Sequence, residues 1–374
     1  MKIITTTIFR SYNYGAVLQA YALHKKLNDL GHDCAILNFR PARGEKRFEK
    51  VFQKPNNLKE LAYNLLPLFK YRESKRKIEN ANHFFDNNLK LTKKYETYEE
   101  IINDKPDADI FFCGSDQIWN PIIHGLSPLY FLDFVDNSKS VKASFAASIG
   151  ENFIEEKYKS KIKDYLSSFD FVSVREEEAK EILSFTGKNI EVVADPVFLL
   201  NKQEWLSISK PALRKGKYIL CYFLYQPSFL NKLLKSIKKV TGYKIISVTP
   251  DPYSKIYHDV LIRDIGPDGF LGLVADAEMV ITSSFHGTAL SILLEKQFYS
   301  IVEETRGSRI TNILKRTELE YREINEKSDN VDVLKKFDYM KVRNNVDAIR
   351  EESITFIEKV TETAKQRKLD SNAS

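Results

Sequence analysis

Cysteine is scarce and scattered: Cys34, Cys113 and Cys221 are the three in the chain, each inside an apolar stretch (DCAIL, IFFCGSD, ILCYFLY). An odd number of widely spaced thiols in core-like strands supports neither a disulfide framework nor a zinc site. No apolar run reaches the eighteen or so residues a transmembrane helix needs. The opening MKIITTTIFRSYNYG lacks the basic and apolar regions of a secretory signal, so a cytoplasmic protein is expected. Also missing are GxGxxG and P-loop glycines, HExxH, and the GxSxG elbow, which removes the usual signatures of dinucleotide, nucleoside-triphosphate, zinc-protease and serine-hydrolase sites. Neither a metal nor a cofactor is expected. Low-complexity tracts and short-period repeats are absent as well.

What is present is a chain of 374 residues, 43% apolar and 12% aromatic, enough to fill more than one core. The formal charge of +6 is unevenly spread: residues 41–100 hold 14 Lys/Arg against 9 Asp/Glu. Within that segment LKELAYNLLPLFKYRESKRK joins an apolar stripe to a basic tail. It reads either as a solvated helical insertion or as a contact for an anionic membrane surface or lipid-linked phosphate. Its bases are interleaved with acids and no nucleic-acid motif accompanies them, so no nucleic-acid partner is expected.

Apolar runs alternate with helical patterns along the whole chain. KIITTTIF, a polar turn RSYNYG, the helix AVLQAYALHKKLNDL, Gly31 as a stop, and DCAILNF make a βαβ opening. Further strands are expected at ADIFFCGSD, VKASFAASIG, FDFVSVRE and IEVVADPVF, then in a second series at KYILCYFLY, YKIISVTP, VLIRDIGP, EMVITSSF and QFYSIVEE. The expected organisation is an α/β domain over 1–198, with a basic helical insertion at about 41–100, and a second over 199–345. A C-terminal helix within 346–374 returns to the first. NKQEWLSISKPALRKGK, at 201–217, is polar enough for a linker or crossing segment.

In open α/β sheets ligands collect beyond the carboxyl ends of the strands, so residues there carry most weight. In TSSFHG a helix N-terminus with free backbone N–H groups follows His286, suited to an anion. The imidazole can move a proton near neutral pH, or it can be a hydrogen-bonded structural group. Ser284, like Ser283, serves as helix cap or anion donor, and Gly287 permits close packing. Arg306 and Arg309 return to the same rim one strand later, as anion-binding forks or surface ion pairs. Arg175 ends the apolar FVSVR, where a charge needs a cleft or an acidic partner. In the first half Asn13 and Gly15 form the first βα loop, and Ser115 and Asp116 follow a strand. Asp116 reads as a ligand or base for a sugar hydroxyl, or as a helix cap. Trp119 reads as a stacking platform or as core.

Taken in order, NYGAVLQAYAL, CGSDQIWNP, SFAASIG, FVSVRE, ADPVFLL and ITSSFHGTALSIL resemble the polysaccharide pyruvyl transferase family over residues 11 to about 310. The resemblance implies two Rossmann-like domains with mostly parallel sheets in a glycosyltransferase-B-like arrangement. It implies a bacterial enzyme of surface-glycan assembly (exopolysaccharide, capsule) that moves pyruvate from phosphoenolpyruvate onto a sugar hydroxyl pair as a cyclic ketal. His286 and Arg175 fall on family donor-site positions. Arg306 stands where many members have lysine, and Arg309 resembles an arginine of a related branch.

The resulting expectation puts His286 and Asp116 in catalytic roles. Arg175, Ser284, Arg306 and Arg309 take the donor, and Asn13, Gly15, Ser115 and Trp119 the acceptor. Phosphoenolpyruvate and a sugar acceptor, on a lipid diphosphate in one version, are the expected partners, with peripheral contact at the inner face of the cytoplasmic membrane. Two other readings use the same architecture: a glycosyltransferase with a nucleotide-sugar donor, and a non-catalytic glycan-binding protein.

Overall fold

The computed structural model describes residues 1–41, 48, 71–211, 216–249, 254–303, 307–325 and 336–373. Two parallel sheets organise them. The first contains β1 (Lys2–Thr6), β2 (Asp33–Phe39), β3 (Leu91–Tyr95), β4 (Ile110–Cys113) and β5 (Val141–Ser144) in the order β3-β2-β1-β4-β5. A parallel pair, β6 (Val172–Val174) and β7 (Ile190–Val192), extends it through bridges from Ala143 to Phe171 and Ala147 to Val174. The second sheet contains β8 (Tyr218–Tyr222), β9 (Lys244–Val248), β10 (Val260–Ile262), β11 (Met279–Thr282), β12 (Gln297–Ile301) and β13 (Glu323–Ile324), ordered β10-β9-β8-β11-β12-β13. Central strands such as IFFC, YILCY and MVIT are buried at every position, because helices cover both faces of a parallel sheet and alternation disappears. The result is an α/β fold of two Rossmann-like halves.

Each sheet reverses its strand order at the centre, between β1 and β4 in the first and between β8 and β11 in the second. Such switch points leave a crevice at the strand ends. The helix Tyr14–Asp29, capped by Asn13, runs from the first crevice and is buried over most of its length. Its Val17, Leu18 and Tyr21 share one core with Phe270, Val274 and Leu290 of the second half. Tyr14 stacks on Phe270 at 4.5 Å and donates to the Ile265 carbonyl at 3.3 Å. An offset aromatic pair adds about 0.5–1.5 kcal/mol beyond its area burial, so this helix fastens the halves together at the site.

Two further segments reinforce the joint. The polar stretch after residue 199 contains a helix, Lys202–Ser207, closed at its start by reciprocal bonds between Asn201 and Glu204. Its Trp205 is fully buried, packs near Tyr21 and donates to the Val197 carbonyl at 3.1 Å, so this stretch is anchored rather than a free linker. The C-terminal helix, Tyr339–Ala373, crosses back onto the first half. Its Phe356, Ile357 and Val360 join Leu23, Phe112 and Phe145 in one cluster. Ser353 accepts from the Ala194 amide at 3.1 Å, and Arg367 pairs with Asp170 at 2.6 Å.

The basic segment is only partly within view. Residues 42–47 and 49–70 lie outside the described residues, and with them the apolar stripe on which the membrane contact rested. The basic tail continues into the helix Tyr71–Asn88, whose Ala81, Phe84 and Phe85 are buried. Its Arg76 pairs with Asp264 of the second half at 2.6 Å. Among the described helices none is long and apolar enough to cross a membrane.

Candidate functional site

His286 enters the site because of how its helix starts. The helix Phe285–Leu293 begins two residues earlier than the pattern GTALSILLEK indicates, so His286 lies in its first turn. Ser284 caps it, its Oγ accepting from the Gly287 amide at 3.3 Å. A Cβ on Gly287 would stand 2.4 Å from Thr282 Oγ1, so only glycine lets the helix settle onto the end of β11. His286 is 5% exposed, and its ring lies against the first half: a Cβ on Gly15 would fall 2.1 Å from His286 Nδ1. Gly15 is therefore the notch that receives the histidine, not an acceptor contact.

Across this seam lies a buried ionic cluster. Arg175, 7% exposed, follows β6 directly. Its Nε donates to Glu176 Oε1 at 2.9 Å and its Nη1 to Asp195 Oδ2 at 2.6 Å, while the guanidinium stacks over the Phe285 ring at 4.8 Å. Asp195 Oδ1 accepts from the Val197 amide at 3.1 Å, and Oδ2 also accepts from Ser115 Oγ at 3.3 Å. His286 Nε2 stands 3.4 Å from the same Oδ2, within ion-pair range but off hydrogen-bond alignment. Arg175 Nη2 and His286 Nε2 are both buried and have no hydrogen-bond partner among the described residues. Unpaired buried donors are costly, and here two face one seam.

The electrostatics are strongly coupled. Burial pushes the Asp195 carboxyl up, but His286 and Arg175 beside it more than offset this and hold it well below the usual carboxylate range. Burial works against the Arg175 charge too, yet Glu176 and Asp195 outweigh it and raise its pKa. Arg309 is shifted down, first by burial and then by repulsion from Arg175. Its Nη1 and Nη2 meet the Gln117 amide oxygen at 2.7 and 2.8 Å once that amide is turned to satisfy both groups. One oxygen held by two guanidinium N–H groups of Arg309, a residue of the second half, places the fork at the seam with Gln117 of the first. A small cleft of about 10 Å³ opens beside the cluster, lined by Gly150, Asn152, Glu176, Ser308 and Arg309 among others. A hollow of about 710 Å³ between the helix Tyr71–Asn88 and β10 is larger, and four of its charged residues are paired, Arg76 with Asp264 and Lys210 with Asp268. The ionic cluster borders the smaller cleft, which Glu176 and Arg309 line.

The remaining sequence candidates divide clearly. Asp116 interacts with both Arg175 and Arg309, adopts a left-handed backbone (φ 69°) and accepts from the Gln117 amide at 2.9 Å; it caps no helix. Asn13 caps its helix, and its Oδ1 also accepts from Tyr222 of the second half at 3.3 Å. Ser115 is fully buried, its hydroxyl engaged by the Ala146 carbonyl and Asp195, so it contacts no acceptor directly. Trp119 is 2% exposed, stacked on Phe131 at 5.5 Å with Nε1 bonded to the Tyr130 carbonyl. Its faces are occupied by core, which leaves none for a sugar. Ser284 acts as the cap, and Arg306 lies outside the described residues. Asp195, Glu176 and Gln117 were not singled out from sequence. The signal for them was only their place in ADP, VRE and GSDQ at strand ends.

Residues 13–304 match the family described as polysaccharide pyruvyl transferase. No curated protein matches the chain. Among solved structures it is similar to a UDP-GlcNAc 2-epimerase from Methanocaldococcus jannaschii (14% identity, 93% of this chain and 92% of that one, TM-score 0.48). It is also similar to the UDP-GlcNAc 2-epimerase from Neisseria meningitidis bound to UDP-GlcNAc (13%, 97% and 100%, 0.48). A third similarity is to a wall teichoic acid polymerase (12%, 98% and 89%, 0.47). At these identities and scores the structural likenesses carry no statement about activity.

Proposed function

The chain belongs to the polysaccharide pyruvyl transferase family, and on that premise we propose that the cleft binds phosphoenolpyruvate and transfers its pyruvate to a sugar diol as a cyclic ketal. The observation that carries this reading is the open buried donor Arg175 Nη2, set beside His286 and the Arg309 fork. The donor carries a carboxylate and a phosphate, and guanidinium forks together with a helix N-terminus suit both. Arg309 exchanges the Gln117 oxygen for an oxygen of the donor, and Arg175 offers its free Nη2.

His286 supplies the proton. Transfer to the methylene carbon of phosphoenolpyruvate leaves an oxocarbenium-like centre at C2. One sugar hydroxyl attacks that carbon, the C2–O bond to phosphate breaks and inorganic phosphate leaves, and the second hydroxyl closes the ketal as its proton passes to His286 and restores the acid. Asp116, on the first half and partly exposed, takes the proton of the attacking hydroxyl. The backbone dipole of the helix Phe285–Leu293 favours negative charge at this point.

The test is turnover with ¹³C-labelled phosphoenolpyruvate and a panel of sugar acceptors, following phosphate release and the ketal carbon together. His286→Ala should lower both by about 10²-fold or more, the usual contribution of a positioned acid. Equal turnover in wild type and variant, or transfer only from a nucleotide sugar, overturns the reading.

A further inference from the structure

Asp195 links the two halves of the chemistry. It sits on the first half, just after β7, yet its Oδ2 faces His286 of the second half at 3.4 Å while gripping Arg175 at 2.6 Å. Its two oxygens have separate work. Oδ1 accepts from the Val197 amide and caps the turn Pro196–Leu199, a local structural role. Oδ2 faces three donors: Arg175 Nη1, Ser115 Oγ and His286 Nε2. Stability of the turn needs only the first oxygen, so the position of the second needs another reason.

We propose that Asp195 is the positioning residue of His286, fixing the imidazole proton on Nε2 and its ring plane across the domain seam. The inference rests on the proposed role of His286 for its catalytic consequence, but not for the tautomer itself. A neutral imidazole carries one proton, and a carboxylate 3.4 Å from Nε2 favours by its charge the tautomer with the proton on that nitrogen, without an aligned hydrogen bond in the resting geometry. Nδ1, the nitrogen toward Gly15, is then left without a proton. The other charged groups of the cluster do not compete for Nε2: Glu176 is engaged by Arg175 and by Ser148 at 2.9 Å, and Arg309 by Gln117. The same carboxylate leaves Arg175 with only Nη2 to offer. A single residue of the first half thereby aligns a proton carrier of the second half with a cation of the first, and the alignment exists only while the halves are together.

Asp195→Asn isolates this role. It retains an oxygen for the Val197 amide and places an NH₂ where Oδ2 was. That NH₂ donates to Nε2, so the proton moves to Nδ1. Selective ¹⁵N-histidine labelling gives six ring pairs in this chain, and His286→Ala assigns the one that matters. Long-range ¹H–¹⁵N spectra of the unliganded protein at mildly alkaline pH should show His286 protonated on Nε2 in wild type and on Nδ1 in Asp195→Asn. Glu176→Gln, which touches Arg175 but not His286, should keep the Nε2 proton. In turnover with phosphoenolpyruvate, Asp195→Asn should lower kcat about 10- to 100-fold with a smaller change in KM. A wild-type spectrum with the proton on Nδ1 overturns the proposal without any variant, and so does an unchanged tautomer in Asp195→Asn. Because the spectra contain no donor, a failure to bind phosphoenolpyruvate would count against the functional reading and leave the positioning role standing.

Discussion

Gly15→Ala places one methyl group at the tightest point between the halves. The added Cβ would lie 2.1 Å from Nδ1, 2.3 Å from Cγ and 2.7 Å from Cβ of His286, all shorter than any contact real side chains tolerate. Position 15 lies in the first turn of the helix Tyr14–Asp29, where alanine is the better residue by about 1 kcal/mol. Overpacking a close-packed site costs about 1–3 kcal/mol. The clash therefore wins by roughly 0–2 kcal/mol, and the variant should melt a few degrees lower. His286 has no room to retreat, being buried between Gly15, Phe285 and Asp195, so its ring must turn and donor binding should fall with it. In a His286→Ala background the obstacle is gone and Gly15→Ala should become neutral or stabilising by up to about 1 kcal/mol. Thermal denaturation of the four proteins in this cycle gives the coupling, expected at about 1–3 kcal/mol. Equal destabilisation in both backgrounds would refute the reasoning.

Two further outcomes are expected. His24 is buried, and burial first, with Lys90 adding to it, depresses its pKa to about 4. The unfolded chain therefore takes up this proton first as pH falls below the ordinary value of about 6.5. Stability should decline from there and level off near 4, by at most about 3 kcal/mol at 1.36 kcal/mol per unit. Urea unfolding of His24→Gln should lack this component; an identical pH slope would contradict it. Separately, Arg175 and Arg309 face three carboxylates, Asp116, Asp195 and Glu176, which leaves the cluster one positive charge short before any anion arrives. Phosphoenolpyruvate binding should then be accompanied by proton uptake. Calorimetry in two buffers of different ionisation enthalpy reads the uptake directly, and equal heats in both would count against it.

Much of the architecture was legible because central parallel strands are continuous apolar runs: DCAILNF is β2 residue for residue. LTKKY was not recognised as β3, since an edge strand covered on little of its surface carries exposed lysines and no apolar run. The cluster was legible in its charged and titratable residue types at strand ends, His286, Arg175, Arg309 and Asp116, which the structure brings together. The supporting residues were not. Gly15 and His286 meet from opposite ends of the sequence, and Asp195 reads locally as the cap of a turn, a role it also has. Trp119 and Ser115 show the converse: a polar strand end suggested ligand contacts, but Phe131 and the Ala146 carbonyl had already taken those groups into the core.

The most direct test of the account is isothermal titration of phosphoenolpyruvate into the wild-type protein and into Arg309→Ala, with uridine diphosphate as the parallel ligand. The account predicts saturable phosphoenolpyruvate binding that weakens about tenfold or more in the variant, a loss of about 1.4 kcal/mol. Binding of uridine diphosphate without any binding of phosphoenolpyruvate would contradict it.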